Sequence, residues 1–202
     1  MLLWNPEACL LMEFNPVEYW NTREHPNTSE DPGIGAVELE TFPDLLKNST
    51  RTLELGPGVG RLFPLYTGKD IYTLDLSKKY SERLRHQALL NNVKLTEFFA
   101  NDPAAKFPFE DDYFDLAIAA HVLYHVPFKN IVHTIKELYR VSTRALAIVS
   151  NNPKWPVKSD DYPAHLWVFN HNYQEIFEEL RVSKVTDLYP ERFNKVYLLE
   201  KN

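Results

Sequence analysis

The chain has 202 residues, 44% hydrophobic and 25% charged, which suits one globular domain able to bury its own core. A net charge of −6 with no Lys or Arg run speaks against a nucleic-acid partner, because that binding rests mainly on phosphate neutralisation. A single cysteine, Cys9, excludes an internal disulfide framework, and no apolar run reaches the ~20 residues of a membrane span, so a cytoplasmic protein off the membrane is expected. The opening MLLWNPEACLLMEF is interrupted by Asn5, Pro6 and Glu7 and has no basic lead, so it does not read as a signal peptide.

Residues 15–35 are rich in Pro, Asn and charge and read as an irregular N-terminal segment. A helix is expected over Ala36 to Lys47, with Pro43 starting, kinking or dividing it. From residue 51 the pattern becomes regular. RTLEL (51–55) and IYTLDL (71–76) read as buried strands, and Ser77 is placed to cap a helix through residue 90 that Asn91-Asn92 ends. LTEFFA (95–100) and FDLAIAA (114–120) are the next strands. Phe128, Ile131, Val132, Ile135, Leu138 and Tyr139 then keep helical spacing behind Pro127. RALAIVS (144–150) is a fifth strand, and Asn172 with Glu175 signs the start of a last helix. VSKVTDLY and KVYLLE close the chain as strands with no helix between them, which favours an antiparallel pairing. Alternating strands and helices imply right-handed crossovers, hence an α/β, doubly wound, mostly parallel sheet.

Such sheets bind ligands beyond the carboxyl ends of their strands, where the strand order reverses. The stretch 53-LELGPGVGR-61 ends a strand in three alternating glycines, Gly56, Gly58 and Gly60. Glycine admits positive φ and lets a ligand lie on bare backbone, and a helix start beyond the turn would favour a carboxylate or phosphate. The turn lacks the Gly-Lys-Ser/Thr of a P-loop. G-P-G-V-G is also one residue short of the dinucleotide spacing, and Glu54 at its head sits poorly beside a pyrophosphate but suits an ammonium. S-adenosylmethionine carries an ammonium and a sulfonium and no phosphate.

ELGPGVGRL resembles motif I of the class I S-adenosylmethionine-dependent methyltransferases (type 11-like), and the likeness runs from about residue 51 to the C-terminus. It implies a Rossmann-like, seven-stranded, mostly parallel sheet with an antiparallel C-terminal strand. It also implies that residues 51–202 form the cofactor-binding domain, with residues 1–50 as a cap segment and helix of the same structural domain. Asp75, 19 residues after Gly56, matches the acid that holds the ribose hydroxyls, as a carboxylate accepts from both. Asn101 and Asp102 match the position that accepts from the adenine amino group. FPFEDDYFDLAIAAHVLYHV resembles the family's run into the fourth strand. Leu55, Leu76, Ala120 and His121 fall beside these motifs and complete the implied cofactor contacts. Arg61, or Arg23 beside Tyr19 and Trp20 in the N-terminal segment, is placed to meet the cofactor carboxylate, with Trp20 closing over it.

Methyl transfer from a sulfonium needs an acceptor held in line and water excluded, and a general base only where the acceptor carries a proton. His121, Tyr124 and His125 are the candidates. They stand where the quinone O-methyltransferases of the superfamily show Glu-x-x-Glu-His, and the loss of both acids argues against a metal site. His121 is the candidate base, with His125 orienting the loop. The stretch 151–170, with Trp155, Tyr162, His165 and Trp167, reads as an acceptor-binding insert or a packed lid. It is loosely similar, together with ELYRVS (137–142), to methylases associated with nonulosonic sugar biosynthesis. The expected activity is methylation at O or N of a small, possibly sugar-like acceptor by a monomer or homodimer. An NAD-dependent oxidoreductase and a non-catalytic cofactor-binding module are the alternatives.

Overall fold

The computed structural model describes residues 15–22, 34–150, 169, 171–190 and 194–201. The expectations for the opening stretch, Arg23, Trp155, Tyr162, His165 and Trp167 lie outside these residues. Seven strands form one sheet in the order β3-β2-β1-β4-β5-β7-β6. They are β1 (Arg51–Leu55), β2 (Asp70–Asp75), β3 (Lys94–Phe99), β4 (Leu116–Ala120), β5 (Arg144–Ser150), β6 (Lys184–Asp187) and β7 (Asn194–Glu200). β1 pairs in parallel with both β2 and β4, so the order reverses between β1 and β4. β7 runs antiparallel to β5 and β6, as the absence of a helix between the last two strands predicts.

Strand alternation sends one sheet into two cores. In β4, Leu116 and Ile118 face a layer with Phe42, Leu46, Phe63 and Tyr66, while Ala117 and Ala119 face one with Ile131, Ile135, Leu138 and Phe177. All four β4 residues are fully buried. The first layer is built by α2 (Ala36–Lys47) and α3 (Ser81–Leu90), the second by α4 (Phe128–Val141) and α5 (Tyr173–Glu179). A short helix, α1 (Pro16–Thr22), precedes them. It docks on the loop after β2: Ser77 Oγ donates to the Trp20 carbonyl at 3.0 Å, and Lys79 Nζ to that of Thr22 at 3.0 Å.

Four local expectations change, the first being that residues 16–22, inside the segment read as irregular, form the helix α1. Pro43 neither starts nor divides α2; it lies inside the helix on its exposed side, where water can take up the carbonyl left without a donor. Ser77 does not cap α3, which begins at Ser81 behind Tyr80; its hydroxyl is engaged by α1 and its amide by Asp75 Oδ1. The glycine turn runs into a 3₁₀ turn, Phe63–Tyr66, with Pro64 near its start, so no α-helix N-terminus follows it. Any anion preference at this turn therefore comes from loop amides and not from a helix dipole.

Candidate active site

Gly56, Gly58 and Gly60 all have positive φ (62°, 55° and 83°), the conformation their spacing implies. A Cβ on Gly56 would stand 2.6 Å from Val122 Cγ2, so the turn after β1 abuts the loop after β4 directly. A Cβ on Gly60 would meet Leu84 and Gln87 of α3 at 3.1 Å. Gly56 and Gly58 border the cleft that opens here, while Gly60 serves helix packing.

The cleft has a volume of about 420 Å³ and lies at the carboxyl ends of β1, β2 and β4. Leu55, Leu76 and Ala120 line it. On one side stand three acids from successive strand ends. Glu54 is 3% exposed, and its Oε2 has no hydrogen-bond partner. Burial pushes its carboxyl up to about 7, against the opposing charge of Arg61. The Tyr66 hydroxyl lies beside it, yet falls short of hydrogen-bond geometry and is itself buried without a partner. Asp75 is likewise raised to about 6 by burial, although the Ser77 amide donates to its Oδ1 at 2.9 Å. Asp102 borders the cleft and takes the Ala104 amide at 2.8 Å, whereas its neighbour Asn101 is exposed and outside the cleft wall.

On the other side the chain leaves β4 through His121, a non-glycine residue at φ 59°, and forms a 3₁₀ turn over Leu123–His125. His121, Tyr124 and His125 all line the cleft, and the Tyr124 and His125 rings lie 4.3 Å apart by their centroids, tilted at 57°. Trp20 of α1 meets His125 edge-on at 4.9 Å and closes the rim. Burial raises the Tyr124 phenol above its usual range.

One residue that no sequence motif marks enters here. Glu38, in the first turn of α2, is 2% exposed. Its Oε1 lies 2.7 Å from Arg61 Nη2 and 3.3 Å from His121 Nε2, at angles short of hydrogen-bond geometry. Burial alone would raise its carboxyl, but His121 and the Arg61 guanidinium outweigh it and hold it near 2. Glu38 shares a helical stripe with the buried Val37, Thr41, Phe42 and Leu46, and an acid on that apolar stripe was the signal available in the sequence.

Residues 53–145 match a family model described as a methyltransferase domain. No curated protein matches the chain. Solved structures match over most of its length. An S-adenosylmethionine-dependent methyltransferase from Thermotoga maritima shares 16% identity over 82% of this chain and 88% of its own, with a TM-score of 0.60. The N-terminal domain of EvdMO1, solved with S-adenosylhomocysteine (SAH) and D-fucose present, shares 18% over 92% and 93%, with a TM-score of 0.62. A Haloferax volcanii complex of the Trm112 activator with a methyltransferase gives 16% over 94% and 98%, with a TM-score of 0.61. These likenesses concern the fold. Over residues 53–145 the chain is a methyltransferase domain, its fold is the one these S-adenosylmethionine-dependent methyltransferases share, and S-adenosylmethionine is the cofactor this match indicates.

Proposed function

We propose that the protein methylates an O or N atom of a small molecule, and that sugar-like acceptors are the first class to test. One observation carries this reading. A single cleft is lined both by an unpartnered buried acid beside bare glycine backbone and by an imidazole and a phenol from the loop after β4. The first suits a cation-bearing cofactor, and the second suits an acceptor that must lose a proton.

In this reading Glu54 receives the cofactor's ammonium, Asp75 its ribose hydroxyls and Asp102 its adenine amino group. Arg61 faces the cleft but also holds Glu38, so Arg23 stays a candidate for the cofactor carboxylate. When bound, the cofactor supplies a methyl group on a sulfonium, already activated for displacement. The chain's own work is then to hold the acceptor in line, keep water out with Trp20 and Tyr124, and take a proton at His121. The net charge of −6 agrees with a small acceptor and not a nucleic acid. The presence of D-fucose with EvdMO1 makes a sugar hydroxyl a sensible first probe. Histamine, the acceptor suggested for the Thermotoga maritima protein, is the matching amine probe.

Thermal shift is the first test. SAH is expected to raise the melting temperature by several degrees, as a ligand specific for the native state stabilises it by RT ln(1 + [L]/Kd). Asp75→Ala should abolish that rise. A shift with NADH and none with SAH would sink the reading. Incubation with S-adenosylmethionine and each probe, followed by mass detection of methylated product, then separates hydroxyl from amine acceptors.

A further inference from the structure

We propose that Glu38 is a positioning residue for His121, holding the proton on Nε2 so that Nδ1 faces the acceptor as the base. The inference rests on His121 being the base in the proposed reaction. It adds a residue from the N-terminal helix, outside the matched segment 53–145, to the site.

Three observations carry it. Glu38 Oε1 stands 3.3 Å from His121 Nε2, while Nδ1 makes no hydrogen bond among the described residues. An acceptor on one ring nitrogen fixes the neutral tautomer with the proton there, leaving the other nitrogen's lone pair free. At 3.3 Å the contact is within reach but poorly aligned for a hydrogen bond, as is common before a site is loaded. Next, room is made for Glu38 by its neighbour. Gly35, the residue before α2, has an ordinary φ of −72°, yet a Cβ on it would fall on Glu38 Oε2. The missing side chain makes room for the carboxylate and not for an unusual backbone. Last, His121 itself sits at φ 59°, a strained conformation for a residue with a Cβ, which aims its ring into the cleft beside Gly56 and Tyr124.

Arg61 completes the arrangement. Its guanidinium, 2.7 Å from the same oxygen, keeps Glu38 anionic in a dry setting, so the carboxylate accepts a proton contact without taking the proton. During transfer the acceptor's lone pair forms the bond to the methyl carbon, and the broken carbon–sulfur pair stays on sulfur. The proton of the acceptor's O–H or N–H passes to Nδ1, and Glu38 stabilises the imidazolium that results.

The tautomer is the deciding readout, since an ion pair that merely tied α2 to the sheet would not set it. Long-range ¹H–¹⁵N spectra of the full chain saturated with SAH should show neutral His121 carrying its proton on Nε2. In Glu38→Ala the preference should relax to a mixture. A wild-type ring protonated on Nδ1 overturns the proposal, and this measurement needs no variant to fold. Kinetics with the D-fucose or histamine probe separate the two layers. His121→Asn should lower kcat about a hundredfold and Glu38→Ala about tenfold, with the acceptor KM little changed. The double variant should be no slower than His121→Asn alone. If His121→Asn turns over at the wild-type rate, the base reading itself fails. If it is slow while Glu38→Ala is not, His121 keeps its role and Glu38 loses its own.

Discussion

Glu54 and Glu38 are both glutamates buried to within 3% of full enclosure, one in the cleft wall and the other against Arg61 and His121, yet their carboxyls are driven in opposite directions. Glu54 rises to about 7 because burial meets too little compensation: the Arg61 charge is felt but makes no contact, and Oε2 stays unpartnered. Glu38 falls to about 2 because His121 and Arg61 lie within 3.3 Å and outweigh the same burial. Burial of an acid therefore does not by itself define its role. What decides is whether the protein itself supplies the cation. At Glu38 it does, and the acid is a finished part of the scaffold. At Glu54 it does not, and in the proposed function the acid is kept for a cation that arrives with the ligand.

The largest effect that could break this contrast is on stability at pH 8 without ligand, where the two acids should answer to the same substitution with opposite signs. A native-state carboxyl raised from 4.5 to about 7 binds its proton more tightly than the unfolded chain does, so stability falls as pH rises through that window. The full loss, on the order of 3 kcal/mol, is present above pH 7. Glu54→Gln should remove it and raise the melting temperature. A carboxyl lowered from 4.5 to about 2 contributes stability of similar order above pH 4.5, lost as pH falls toward 2. Glu38→Gln should therefore lower the melting temperature at pH 8. Calorimetry of both variants decides it; shifts of the same sign would break the comparison.

The two acids also differed in how legible they were. Glu54 announces itself, because it stands two residues before Gly56 on a strand whose end must meet the ligand. The strands and the antiparallel close were readable for the same reason: short apolar runs, and two strands with no helix between them, are local signals. Glu38 is 83 residues from His121 in sequence, and in ELETFPDLL it reads as an ordinary first-turn acid favoured by the helix dipole. Only the tertiary fold brings α2 across the end of β4. Ser77 misled by the same logic. Its Oγ does accept a following amide, that of Lys79 at 3.1 Å, but the helix begins only at Ser81, behind Tyr80. The helix expected after the glycine turn failed because Pro64 and the short RLFPLY stretch favour a tight 3₁₀ turn over a continuing helix.

A slightly smaller effect sharpens the contrast from the ligand's side. A cation bound at Glu54 needs the carboxylate ionised, so binding must displace a proton below pH 7. Titration calorimetry of SAH should give an affinity at least about a hundredfold weaker at pH 5 than at pH 8 from Glu54 alone, rising steadily between them. Asp75, raised to about 6, steepens the lower part of that rise. In Glu54→Gln the remaining dependence should centre nearer pH 6. Glu38→Gln should leave the pH dependence of binding as in the wild type, because its carboxyl is already ionised throughout the range. An affinity that is flat with pH would show that the cofactor's ammonium is met elsewhere.

The smallest expected effect tests where the cofactor side ends. The sequence allows either Asn101 or Asp102 to meet the adenine, but only Asp102 borders the cleft, while Asn101 is exposed. An exposed side chain outside the wall has no bond to lose, so Asn101→Ala should change the SAH dissociation constant less than about twofold. Asp102→Ala removes an acceptor that also orders its own loop through the Ala104 amide at 2.8 Å. Losing one hydrogen bond to a charged group, worth about 1.5 kcal/mol, corresponds to roughly tenfold weaker binding. If Asn101→Ala weakens binding more than Asp102→Ala does, the loop after β3 turns over when the cofactor binds, and the line of acids Glu54, Asp75 and Asp102 is one residue too long.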